Sequence, residues 1–129
     1  MKPEAEHLRR GKQGELAAYR HLRKLGYTVV ARNYRTRDGR GEVDLVAWDG
    51  PDLVFVEVKT RTREEFGAPE TAVDSRKRTQ MVQAAADYLR RSGRSPSRVR
   101  FDTVSILLRD PVEIQVRKDS FSERELSLA

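Results

Sequence analysis

The 129-residue sequence predicts one α/β domain in the order helix, three strands, helix, strand, with one further strand at the end. Three observations predict it. Apolar residues recur at helical spacing in two segments, one near the N-terminus and one in the second half of the chain. Between them lie runs of strand character separated by Gly- and Pro-bearing turns. The length suits a single domain able to bury a core, and neither a repeat nor an interdomain linker divides it, so residues 1–129 are expected to be one domain.

Residues 5–25 read as a helix, with Leu8, Leu16, Tyr19, Leu22 and Leu25 near one stripe, Ala17 and Ala18 beside it, and Gly26 as its stop. Residues 27–32 (YTVVAR) form a first strand, and NYRTRDGRG is a basic loop with two glycines. Residues 42–49 (EVDLVAWD) and 53–61 are the second and third strands, joined by the turn DGPD. A loop through Gly67 and Pro69 follows. Asp74 or Ser75 is placed to cap a second helix through Met81, Val82, Ala85, Tyr88 and Leu89, which stops at Gly93. Residues 99–108 are a fourth strand, Pro111 falls in a turn and residues 112–116 are a fifth. Residues 118–129 read as a polar tail that frays.

The charge balance is +6, carried by twenty arginines and six lysines against twenty acidic residues. Such a balance favours a polyanionic partner, above all nucleic acid. A GC-rich or heat-adapted genome would produce the same arginine excess, so charge alone decides nothing. The absence of cysteine excludes a thiol nucleophile and a thiolate zinc site. His7 and His21, the two histidines, fall in the first helical pattern and read as exposed helix residues. No phosphate-binding glycine loop occurs. Carboxylates and lysine are left to carry any catalysis. No apolar run is long enough to span a membrane, and MKPEAEHLRRGKQ lacks the apolar centre of a signal peptide, so a cytoplasmic location is expected.

The stretch VFVEVKTR concentrates that chemistry. Strand side chains alternate faces, so Leu53, Phe55, Glu57 and Lys59 share one face while Val54, Val56 and Val58 share the other. A hairpin symmetric about Gly50 and Pro51 sets Asp49 opposite Asp52, Asp44 opposite Glu57 and Glu42 opposite Lys59. Asp44 and Glu57 would then have Cβ atoms roughly 4.5–5.5 Å apart, and like charges so placed are destabilising. A divalent cation between them relieves the conflict, because Mg²⁺ takes one or two carboxylates, waters and a substrate phosphate. Lys59, on the same face, is placed to orient a water or to stabilise charge building on a phosphate. Glu15 could add a carboxylate if the first helix packs over the strand ends. The competing reading is a solvated ladder of Glu42, Glu57 and Lys59 on an open sheet face.

At these residues the sequence resembles the PD-(D/E)xK nuclease superfamily, and more closely the YraN family of small bacterial proteins, distant relatives of archaeal Holliday-junction resolvases. The resemblance covers residues 10–108 and rests on GKQGELAAYRHL, ARNYR, GEVDLVAWD followed by LVFVEVKTR, AVDSRKR and RFDTVSI. It implies a restriction-endonuclease-like αβββαβ core, a mixed central sheet flanked by helices. It also implies hydrolysis of nucleic-acid phosphodiester bonds with Mg²⁺ or Mn²⁺, for which DNA is the expected substrate, and resolvase-like relatives that pair as dimers suggest a homodimer. With no recognisable sequence-reading module in the chain, branched or single-stranded DNA is expected. By position, Asp44 and Glu57 match the metal-binding acids, Lys59 the catalytic lysine and Glu15 the helix-borne acid. Val43 stands where the motif has proline, a position that carries no chemistry.

Around this set, Arg32, Arg35, Arg37 and Arg40 precede Asp44, and Arg61 and Arg63 follow Lys59, an arrangement suited to phosphate contacts that position a backbone without reading sequence. Lys77 and Gln80, about one turn apart on the second helix, are further candidates for nucleic-acid contact. Trp48 and Phe55 read as core, and Asp102 could be either structural or a metal contact. Two other functions stay open: a nucleic-acid-binding or partner-docking module without activity of its own, and a nuclease acting on RNA.

Overall fold

The apolar periods resolve, in a computed structural model that describes residues 3–61 and 75–122, into a mixed sheet with a helix on each face. The elements are α1 (Pro3–Lys24), β1 (Thr28–Arg35), β2 (Glu42–Asp49), β3 (Asp52–Arg61), α2 (Ser75–Ser92), β4 (Arg98–Leu107) and β5 (Glu113–Phe121). The five strands lie side by side in sequence order. β1–β2, β2–β3 and β4–β5 are antiparallel, and β3–β4 is parallel. A parallel neighbour cannot be reached through a tight turn, and α2 falls in the β3-to-β4 crossover that such a pair requires.

Two apolar clusters cover the two faces. Ala18 and Leu22 of α1 pack with Leu45, Ala47, Val54, Val56, Val104 and Ile106. Met81, Ala84 and Ala85 of α2 pack with Val46, Leu53, Phe55 and Phe101. β3 alternates between them, which explains why Leu53 to Val56 is apolar at every position and fully buried: a central strand covered on both faces has no polar side. Phe55 is a core residue, and Trp48 is half-buried against the same α2-side cluster.

Several elements differ from expectation. Among the described side chains of α1 the buried positions are Gly14, Ala18 and Leu22, whereas Leu16 and, just beyond the helix, Leu25 are 37% and 52% exposed. The helix approaches β3 so closely at Gly14 that a Cβ there would lie 1.9 Å from Thr60 Oγ1. Small residues therefore set the contact, and the larger leucines are displaced from it. The fifth strand runs to Phe121 rather than stopping at 116, and residues 123–129 of the expected polar tail lie outside the described residues. Phe121 is buried against Phe101 with ring centroids 4.7 Å apart, while Arg117, Lys118 and Asp119 face outward on an edge strand. Asp74, Arg63 and the loop through Gly67 and Pro69 lie outside the described residues. No helix among the described residues is long and apolar enough to cross a membrane.

Candidate functional site

The β2–β3 hairpin has the symmetric register. Asp49 pairs with Asp52 across Gly50 (φ 61°) and Pro51, and the ladder continues through Trp48–Leu53, Ala47–Val54 and Val46–Phe55 to Leu45–Val56. It ends there, one step short of Asp44 and Glu57. At that point the Asp44 carboxylate enters the ladder, where its Oδ2 accepts a hydrogen bond from the Val58 N–H at 2.7 Å.

The other side of β2 is irregular at the same level. The pairs Arg32–Leu45 and Tyr34–Val43 bracket Asn33 and set it opposite Asp44. Asn33 has φ 51°, in the left-handed region, which Asn tolerates better than most residues and which is otherwise rare within a strand. Face alternation breaks on both strands here. Val43 packs in the α2-side cluster and Leu45 in the α1-side cluster, although they are two apart. Arg32 lies over the Tyr19 ring of α1, at 4.8 Å, whereas Tyr34 packs on the α2 side. The sheet is thus deformed around Asp44, and strain of this kind collects at functional sites.

Residues from both helices reach this spot. Burial pushes the Asp44 carboxyl above the ordinary carboxylate range, while the Val58 N–H and the charge of Lys77 on α2 pull it back and Glu42 adds to the rise. Glu15 on α1 is also raised, first by burial and then by the Asp44 charge, against a hydrogen bond from the Asn33 side chain and the charge of Arg32. Glu15, Asn33, Asp44 and Lys77 therefore form one electrostatic neighbourhood. Among the described residues Asp44 makes no ion pair within 4 Å. Glu57 and Lys59 are half-buried and continue the face of Leu53 and Phe55 on the α2 side. In the sheet they pair with Thr103 and Ser105 of β4.

The remaining candidates separate. Glu42 pairs with Arg35 across β1–β2 at 3.4 Å, and the β2–β3 ladder ends before the level at which the hairpin symmetry sets Glu42 opposite Lys59. Arg37 and Arg40 turn toward the second half of α2, where they line a cavity. Arg61 ends β3, its carbonyl accepting from the Leu108 N–H at 3.3 Å. Gln80 lies on α2 just beyond Lys77. His21 is half-buried on α1.

Asp102 is resolved as structural. It is 1% exposed and pairs with Arg100, which also reaches Asp49 at 2.9 Å, Asp52 at 3.4 Å and the Tyr27 hydroxyl at 2.9 Å. The alternation of β4 carried this signal: Arg100 and Asp102 are two apart, on the same face of an apolar strand. Asn33 was legible only as part of ARNYR. An Asn inside a strand pattern is a cue to a left-handed residue, but its position opposite Asp44 depends on register.

Among the described residues no group of three or more His, Cys, Asp and Glu side chains forms a metal cage. The donors at the site are carboxylate oxygens. A hard cation such as Mg²⁺ fits such a set, because it uses one or two carboxylates and keeps waters as its other ligands.

The fold and site define an α/β protein whose five-stranded mixed sheet and flanking helices are consistent with a restriction-endonuclease-like core. Its family follows from sequence comparison. The model of the uncharacterised protein family UPF0102 matches residues 14–106, and the chain belongs to that family. A UPF0102 protein of Solibacter usitatus is 52% identical over 111 residues, covering 86% of this chain and 84% of the relative. One from Koribacter versatilis is 44% identical over 119 residues, covering 92% and 82%. One from Moorella thermoacetica is 44% identical over 100 residues, covering 78% and 82%.

Proposed function

We propose that the protein is a metal-dependent nuclease of the PD-(D/E)xK type that hydrolyses phosphodiester bonds in DNA, with branched or single-stranded DNA as substrate. The observation that carries this reading is the local deformation of β1 and β2 around Asp44. It sets a half-buried carboxylate with no ion-pair partner among the described residues between Glu15 of one helix and Lys77 of the other. Beyond satisfying the Val58 N–H, burying such a carboxylate costs the fold stability. Asp44 and Glu57 would hold Mg²⁺ or Mn²⁺. When bound, such an ion supplies Lewis-acid polarisation of a phosphate oxygen and a more acidic water.

The chain's own residues do the rest. Lys59, on the same face as Glu57, presents an ammonium to negative charge that builds on the phosphate. Glu15, whose raised pKa favours its protonated form more than an ordinary glutamate, is placed to exchange a proton near Asp44. The Asn33 side chain acts against the rise at Glu15. Lys77 brings a second cation to the approach. A pair of copies would present two sites to a branched substrate, which is the reason to expect a homodimer.

A cleavage panel tests the reading: purified protein with Mg²⁺ or Mn²⁺ against branched, flapped, single-stranded and duplex DNA and against RNA, with Asp44→Asn alongside. Metal-dependent cutting of DNA that the variant loses is the expected result. Cutting of RNA alone would replace the substrate. Binding of nucleic acid with no cutting under any condition would make the protein a binding module and sink the enzymatic reading.

A further inference from the structure

A second polar feature lies along α2 from Asp44. Arg37 and Arg40 of the β1–β2 loop and Arg90 and Arg91 of α2, together with Asp38 and Asp87, line an open surface cavity of about 370 Å³. Four guanidinium groups against two carboxylates leave a formal charge of +2, and both carboxylates are engaged. Asp38 accepts from Thr36 Oγ1 at 2.6 Å and from the Arg40 N–H at 2.9 Å. Asp87 accepts from the Tyr34 hydroxyl and pairs with Arg90 and Arg91, each at 3.2 Å. Those two arginines nevertheless stay 73% and 55% exposed, so much of their donor capacity is unspent. Arg37 makes no ion pair among the described residues.

The cavity is built rather than incidental. The loop is closed on itself by Thr36 N–H to Gly41 O at 3.0 Å, Gly41 N–H to Thr36 Oγ1 at 2.8 Å and Gly39 N–H to Thr36 O at 3.1 Å. It is seated on α2 at Gly41, where a Cβ would stand 2.7 Å from the Ala84 backbone nitrogen. Only glycine permits that approach, and the approach is what brings Arg37 and Arg40 to face Arg90 and Arg91. Preorganised guanidinium forks suit phosphate oxygens, which they bind in pairs of parallel hydrogen bonds.

We propose that this cavity binds a phosphodiester group of the nucleic-acid backbone, as a second contact point separate from the Asp44 site. The placement favours a continuing backbone over a free anion. Lys77, near Asp44, and Asp87, in the cavity wall, are ten residues apart on α2, with the buried Ala84 covered by Gly41 between them. That separation is about 15 Å at 1.5 Å per residue, or roughly four nucleotide steps at 3.4 Å each, a span that a backbone would cross over the Thr36–Gly41 loop. The proposal rests on nucleic acid as the ligand, but not on its being cut.

The experiment uses isotope-labelled full-length protein in EDTA, titrated with inorganic phosphate and then with DNA oligonucleotides of increasing length. Phosphate should shift the amides of residues 36–41 and 83–91, and a long oligonucleotide should compete for them. Ala86→Glu, which sets a carboxylate in the cavity and removes no existing contact, should abolish those shifts. It should also flatten the log–log salt dependence of DNA binding by about 0.7–0.9 for one lost phosphate, and Arg37→Ala should act in the same direction. Phosphate shifts that oligonucleotides do not compete for would overturn the proposal in favour of a free-anion site. So would a salt slope indifferent to both substitutions in a protein that cuts DNA, and the nuclease reading would survive. Full salt-dependent binding through the cavity in a protein that cuts nothing would support the cavity and defeat the nuclease reading instead.

Discussion

At the Gly50 end of the β2–β3 hairpin, Asp49, Asp52 and Asp102 gather around the Arg100 guanidinium. At the other end Asp44 feels the charges of Lys77 and Glu42, with one backbone N–H as its hydrogen-bond donor. Burial raises the carboxyl pKa at both ends. At Asp49 the Arg100 hydrogen bond and the charges of Lys118 and Arg100 outweigh it and hold the carboxyl below its usual range. At Asp44 burial prevails and the carboxyl is raised. The Arg100 guanidinium is itself held more firmly protonated, by its hydrogen bond to Asp102 against burial and by Asp49. One end of the hairpin is a finished structural knot. The other is an acidic position met by one backbone N–H and the charge of Lys77, where burial still prevails.

The comparison breaks most visibly at Arg100. Arg100→Met leaves Asp102, 1% exposed, without its cation, and should cost about 3–5 kcal/mol in urea unfolding. Adding Asp102→Leu should recover much of that loss, because a hydrophobic replacement of both partners removes the stranded charge. A loss below about 1 kcal/mol in the single variant would mean that the knot is solvated and does not differ from the Asp44 end. Next in size, Gly14→Ala drives a methyl into Thr60 Oγ1 and should cost about 1–3 kcal/mol. Thr60→Ala in the same chain should restore part of it. Cleavage by Gly14→Ala should fall further than stability requires, since this contact seats the helix that carries Glu15.

Asn33→Gly keeps the left-handed backbone and removes the side chain that opposes the rise at Glu15. Its stability should stay within about 1 kcal/mol of wild type, while cleavage drops. Unchanged cleavage would remove Asn33 from the site.

The finest test is one of sign, read from thermal melts in EDTA. Asp44→Asn should leave stability unchanged or raise it by up to about 1 kcal/mol, since the Asn carbonyl can still accept from Val58. Asp44 is raised in the folded protein, so between the ordinary and the raised value the unfolded chain binds fewer protons than the native one. Wild-type stability relative to the variant therefore falls as pH climbs through that window and is equal below it. Asp49 is depressed, so its contribution is present above the ordinary carboxyl value and is lost as pH falls through the lowered one. Asp49→Asn and Asp44→Asn should thus diverge from wild type in opposite directions at neutral pH. Mg²⁺ should raise the wild-type Tm more than that of Asp44→Asn, because a ligand stabilises only the state that binds it. A variant destabilised at Asp44 with no differential response to Mg²⁺ would make both ends structural.

Much of the fold was legible because it is local. The order αβββαβ and the two-residue turn at Gly50 and Pro51 follow from period and from turn chemistry within a few residues. The same symmetry carried the hairpin register as far as Leu45–Val56. The buried stripe of α1 was not legible, because Leu16 and Leu25 are as apolar as Leu22 and only the close approach at Gly14 selects among them. The end of β5 was hidden by its outward polar residues, and Phe121 is buried only because Phe101, twenty positions earlier, lies beneath it.

The sequence by itself determined the element order, the turn, the lack of thiol chemistry and the inventory of carboxylates available to a site. Tertiary structure alone decided which of those carboxylates receives a cation. Arg100 is as near in sequence to Asp102 as Asn33 is to Arg35, yet it reaches Asp49 and Asp52 only because β3 and β4 run parallel with Asp52 beside Arg98. Asp44, five residues from Asp49 on the same strand, lies beyond that guanidinium at about 3.3 Å per residue. Periodicity is a property of neighbours along the chain, whereas the compensation of a charge depends on what the fold brings within a few ångströms of it.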